Sequence, residues 1–134
     1  MSTTIALSNA AIVGSLYEAF GRGDIPTIVE SLAPDCEWNI MGSPLVPHGG
    51  KYIGKETYQF FAKLNEDFEF TEFTVNSINE ISENEVVALG RLTFKARATG
   101  RAASSNWAMH WRLEDGKAKY FQDFYDSALA YTLL

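Results

Sequence analysis

From Glu69 to Asp126 the chain reads as four long runs of alternating side chains, Glu69–Ile81, Glu85–Ala98, Ala103–Leu113 and Lys117–Asp126, parted by turns of three or four residues. Alternation at period two belongs to a strand with one buried face, and four such runs at hairpin spacing predict an antiparallel meander. Ser82-Glu83-Asn84, Thr99-Gly100-Arg101 and Glu114-Asp115-Gly116 supply the loop chemistry, and Asp115-Gly116 is the dipeptide of a two-residue hairpin turn. In the first run the apolar phase slips from Phe68/Phe70 to Phe73/Val75 and again to Ile78. Each slip predicts a β-bulge, and bulges curve a sheet.

The preceding residues supply helices to cover one face of that sheet. Ile12, Val13, Leu16, Tyr17 and Phe20 form one stripe, with Ser8 or Asn9 as its cap and Gly21-Arg22-Gly23 as its stop. Asp24 offers the next N-cap, Pro26 sits in the first turn, and Ile25, Ile28, Val29 and Leu32 form a second stripe that Pro34 is expected to end. Asp35–Ile40 suits a short strand, and Gly42, Pro44, Pro47, Gly49 and Gly50 mark a loop at the rim. Lys55–Asn65 returns to helical spacing through Thr57, Phe60, Phe61 and Leu64. Asp126 is placed to cap Ser127–Leu134, for which helix and strand both remain open. The expected architecture is one α+β domain over residues 1–134, three N-terminal helices packed on a strongly curved, mainly antiparallel sheet.

Lys and Arg number 11 against 17 Asp and Glu, a net charge of −6, and this field repels nucleic acid and anionic membrane surfaces. The single cysteine, Cys36, has no partner for an internal disulfide, and Met1–Asn9 lacks the basic and apolar regions of a secretory leader. A cytoplasmic location is the expectation. Two histidines and one cysteine give no metal-ligand spacing, and Gly21-Arg22-Gly23 and Gly49-Gly50 lack the residues of a phosphate loop, so neither metal nor cofactor is expected.

Tyr17-Glu18-Ala19-Phe20-Gly21-Arg22-Gly23-Asp24, Ser31-Leu32-Ala33-Pro34-Asp35-Cys36-Glu37-Trp38 and Gly49-Gly50-Lys51-Tyr52-Ile53-Gly54, followed by Phe60-Phe61, resemble the nuclear transport factor 2-like superfamily. Within it the nearest pattern is that of SnoaL-like and ketosteroid isomerase-related proteins, and Trp107–Leu113 with Phe121–Asp126 resemble their last two strands. The resemblance implies a cone enclosing a hydrophobic pocket and a homodimer formed through the outer sheet face. At the three positions where ketosteroid isomerases carry a tyrosine, a carboxylate base and a second acid, this chain has Leu16, Ile40 and Met109. The steroid isomerase mechanism is therefore not expected.

SnoaL-like cyclases carry an acid in the last strand, matched here by Asp123, and a histidine in the strand before it, where this chain has Met109. Asp123 alternates with Phe121 and Tyr125, so a carboxyl stands amid aromatic surface, where desolvation would raise its pKa and equip it as a general acid or base. A tyrosine hydroxyl, Tyr17 or Tyr125, is the candidate donor to a developing oxyanion, with Tyr17 taken as the catalytic candidate. Trp38, Ile40, Phe60, Trp107, Met109, Phe121 and Tyr125 are the candidate ligand-binding wall. His110 and Arg112 fall on the opposite face, and His48 is expected as a solvated loop histidine. The functional expectation is a small hydrophobic ligand with acid/base chemistry by Asp123, of isomerase, cyclase or hydrolase type. A non-catalytic binding or dimerisation module is the alternative. An arginine-centred epoxide hydrolase ranks last, because Arg91 and Arg97 share the polar phase of their strand.

Overall fold

Residues 7–134 are described by a computed structural model. The leader-free reading of Met1–Asn9 falls mainly on residues 1–6, outside the described residues. Helix α1 (Asn9–Gly21) starts where the Ser8 hydroxyl accepts the Ala11 N–H, and α2 (Ile25–Glu30) starts where the Asp24 carboxylate accepts that of Thr27. Strand β1 (Leu32–Ile40) follows at once, then β2 (Gly50–Ile53), a 3₁₀ turn (Gly54–Glu56) and α3 (Thr57–Asp67). Four strands complete the sheet, β3 (Phe68–Glu80), β4 (Glu85–Ala96), β5 (Ala102–Glu114) and β6 (Lys117–Phe124), and α4 (Ser127–Leu133) closes the chain. Among the described residues no helix is long and apolar enough to cross a membrane.

The six strands form one curved, open sheet in the order β2-β1-β6-β5-β4-β3. All neighbours are antiparallel except β1 and β6, which run parallel with Trp38 opposite Phe121. The register of β3 on β4 shifts at Phe70/Glu72 and again at Val75/Ser77, the two places where the apolar phase slips. Asp115 and Gly116 both take positive φ, 52° and 77°, between the paired residues Glu114 and Lys117, which is the primed turn their chemistry favours. Helix α1 packs on β3 and β4, and the core runs from Val13, Leu16 and Ala19 to Val86, Trp111 and Leu113.

Three expectations need correction. Pro34 does not end the second helix: α2 stops at Glu30, Ser31 is its C-cap, and Pro34 lies inside β1. A proline is tolerated there because the β1–β6 ladder shifts register between Leu32 and Glu37, so the missing N–H falls in a break of the pairing. The rim loop ends earlier than expected, since Gly50–Ile53 forms the edge strand β2 on β1. Helices number four rather than three, because the Asp126 carboxylate accepts the Leu129 N–H and turns the last residues into α4. Its buried residues Ala130 and Leu133 join the cluster around Phe68, Phe94 and Trp107.

Candidate functional site

Sheet curvature leaves a cavity of about 90 Å³ between the concave face and the helices, room for a few waters. Tyr17, Trp38, Ile40, Phe60, Trp107, Met109, Phe121, Asp123 and Tyr125, the nine residues singled out in the sequence, all stand on its wall. Aromatic faces dominate it. Trp38 stacks on Phe121 with ring centres 3.8 Å apart, and Trp107, Phe73 and Tyr17 form a mutually contacting trio, with Trp107 at 5.1 Å from Phe73 and 5.5 Å from Tyr17 and those two 6.2 Å apart. Gly90 leaves room for the indole: a Cβ on it would collide with both the Trp107 ring and the Thr74 carbonyl. Among the described residues the wall carries no lysine or arginine.

Asp123 is 7% exposed, with Oδ1 accepting the Met41 N–H at 2.9 Å as its hydrogen bond. Burial raises its pKa from 3.8 to about 7, against the opposing pull of the backbone donors of Met41 and of Asp123 itself. Protonated and ionised forms therefore coexist near neutral pH, the condition for a group that gives and takes protons there. The Tyr17 hydroxyl accepts from Trp111 Nε1 at 3.0 Å and donates to Met109 Sδ at 3.1 Å. Burial raises the pKa of both Tyr17 and Tyr125, so each is a neutral phenol.

His48 overturns the expectation of a solvated side chain. It is 4% exposed, lines the cavity, and its Nε2 lies 3.2 Å from the Tyr125 hydroxyl. The loop turns inward because Val46, 1% exposed, packs into the cluster around α4 while the Tyr52 hydroxyl donates to the His48 carbonyl. Burial lowers the imidazole pKa to about 4, leaving it neutral. No periodicity marks a histidine in a Pro/Gly-rich loop as buried. Leu92 and Phe94 also line the cavity, and their phase opposite Arg91 and Lys95 was the legible signal for them.

On the other face His110 Nε2 pairs with Glu85 at 3.0 Å, away from the cavity. Cys36 is buried and its thiol pKa is pushed up to about 12, chiefly by desolvation, so no thiolate is available as a nucleophile. Among the described residues no group of three or more His, Cys, Asp or Glu is placed to hold a metal.

A helix-backed, bulged sheet curled around an aromatic cavity is the nuclear transport factor 2-like fold. The sequence profile of the SnoaL-like domain matches residues 13–121, and the chain belongs to that family. A nuclear transport factor 2-like protein of unknown function from Burkholderia pseudomallei is 31% identical, with a TM-score of 0.85 over 95% of this chain and 98% of its own. A second such protein, from Burkholderia thailandensis, is 27% identical with a TM-score of 0.85 over 96% and 98%. The fold is shared with TerC, co-crystallized with polyporic acid, at 23% identity and a TM-score of 0.82 over 93% and 96%. No curated protein matches the sequence.

Proposed function

We propose that the chain binds a small, flat, neutral hydrophobic molecule in the aromatic cavity and that Asp123 exchanges a proton with it, in a reaction of isomerase, cyclase or hydrolase type. The observation that carries this is a carboxyl buried to 7% exposure on an aromatic wall, with a pKa raised to about 7 and no cation beside it. A structural carboxylate would be paired. This one keeps an oxygen without a side-chain partner among the described residues. The wall favours a ligand that enters without charge, since among the described residues no lysine or arginine stands in it to pair a buried anion.

A thermal-shift panel tests the proposal with small, flat, neutral phenols, ketones, lactones and epoxides on wild type and Asp123→Asn. A ligand at 100 times its dissociation constant adds about 2.7 kcal/mol, a readable rise. The expected result is a hit weakened by the substitution and turned over only by wild type. A panel with no hit overturns the proposal. A hit indifferent to Asp123→Asn supports instead a non-catalytic binding module, the reading favoured by the apolar residues Leu16, Ile40 and Met109 at the three ketosteroid isomerase positions.

The outer sheet face is assigned, within the same proposal, to a homodimer contact. Leu89 and Phe124, 45% and 48% exposed, flank the His110–Glu85 pair there, the mixture of apolar and polar groups a subunit contact uses. Phe124→Arg is expected to yield a monomer in sedimentation velocity, and an unchanged sedimentation coefficient refutes the contact. A cytoplasmic location belongs to the same proposal and rests on the unpaired Cys36.

A further inference from the structure

Two phenols reach the cavity, and their hydroxyls are in different states. That of Tyr17 is engaged on both sides, accepting from Trp111 and donating to Met109. That of Tyr125 has one partner among the described residues, His48 Nε2 at 3.2 Å. The direction of this bond is decided by the other ring nitrogen. His48 Nδ1 is buried and has no hydrogen-bond partner among the described residues. Burial keeps the ring neutral, so a single proton must be placed. On Nδ1 it would make a buried N–H with nothing to bond, and orphan donors are the rarer defect in folded proteins. On Nε2 it leaves Nδ1 only a lone pair and turns Nε2–H toward the Tyr125 oxygen.

We infer that His48 is a positioning residue: it holds Tyr125 by the phenol oxygen and leaves the phenol proton free to donate to a carbonyl oxygen of the bound molecule. The inference rests on the proposed small-molecule role of the cavity and adds the ligand class, a flat ketone, quinone or lactone rather than a hydrocarbon or an amine. Tyr125 follows Asp123 by two residues and both line the same wall, so both groups face a molecule bound there. A donor whose own oxygen accepts a hydrogen bond is also the stronger donor, because such chains polarise one another.

The test uses isotope-labelled acetophenone, a flat one-ring ketone, and reads the carbonyl stretch of the bound molecule by infrared difference spectroscopy. In wild type the band is expected well below its position in hexane. Tyr125→Phe is expected to return it to the hexane position with binding retained, and Tyr17→Phe to leave it in place. His48→Leu is expected to shrink and broaden the shift, while His48→Gln, whose amide N–H can replace Nε2–H, restores it. A merely structural histidine would lower the melting temperature of both His48 variants and leave the band alone.

The opposite hydrogen-bond direction makes the opposite prediction. If Tyr125 donates to His48, removing the imidazole frees the hydroxyl and the shift grows; that outcome overturns the inference, as does a band insensitive to Tyr125→Phe. Nitrogen NMR of the imidazole gives an independent reading, with the proton expected on Nε2 and the inference overturned by a proton on Nδ1. Failure of acetophenone to bind while other panel compounds do overturns the ketone class alone. A silent panel overturns the cavity proposal with it.

Discussion

Replacing Asp123 by asparagine is expected to stabilise the fold, and by an amount that depends on pH. Asparagine has nearly the same shape and keeps an oxygen to accept the Met41 N–H, so the substitution removes the ionisation and little else. The carboxyl pKa moves from 3.8 in the unfolded chain to about 7 in the folded one, because burial strips water from the charged form. Between those values the folded chain holds at Asp123 a proton that the unfolded chain has released, so the contribution of Asp123 to stability falls as pH rises through this window and levels off above it. At about 1.4 kcal/mol per pH unit, the loss amounts to about 4 kcal/mol between about pH 4 and about pH 8. Urea denaturation of wild type and Asp123→Asn across that range should give curves that nearly meet at the acid end. They should part by about 4 kcal/mol at the alkaline end, or about 14 °C in melting temperature. Parallel stability curves, or a destabilised variant at about pH 8, would show that Asp123 ionises as freely in the fold as outside it. The acid/base role would then lose its footing.

Other substitutions probe how the cavity wall is held. Gly90→Ala drives a methyl into both the Trp107 indole and the Thr74 carbonyl, and should cost about 2 kcal/mol or more in thermal denaturation with loss of near-ultraviolet circular dichroism. Tyr17→Phe removes the acceptor of the Trp111 N–H; a buried donor left without a partner should cost about 1–2 kcal/mol in urea, and a neutral result would refute the buried hydrogen bond. Asp126→Ala removes the cap on the Leu129 N–H. A loss of about 1 kcal/mol is expected, with faster amide exchange confined to α4 and its contacts around Ala130 and Leu133, whereas a uniform rise in exchange would contradict local capping.

The sheet was legible because its signals are local. Asp115-Gly116 specifies its turn by backbone preference alone, and the phase slips from Phe70 to Phe73 and from Val75 to Ile78 register directly as the two shifts of β3 on β4. The cavity residues on β1, β5 and β6 followed from the same alternation. What escaped was set by distant partners. Gly50–Ile53 is four residues long and starts with glycine, so its strand character comes from pairing with Glu37–Ile40 rather than from its own sequence. Pro34 looked like a helix stop because the break in the β1–β6 ladder that accommodates it is visible only once β6 is in place. His48 lies in a segment without periodicity, and its burial depends on Tyr52, Tyr125 and the packing of Val46 beside α4.

The position of β6 has a consequence for the order of assembly. Strands β3 to β6 are neighbours in sequence and can zip as successive hairpins, but β1 meets β6 only by closing a loop of about 80 residues, the step that contact order makes slow. The Met41 N–H meets the Asp123 carboxylate across that same junction. Until it closes, Asp123 keeps its water and its ordinary acidity; as it closes, the carboxyl must take up a proton or stay charged without solvent. Seating β6 against β1 is thus coupled to proton uptake at Asp123. Refolding of this step should slow in alkaline buffer while formation of the β3–β4–β5 hairpins keeps its pace.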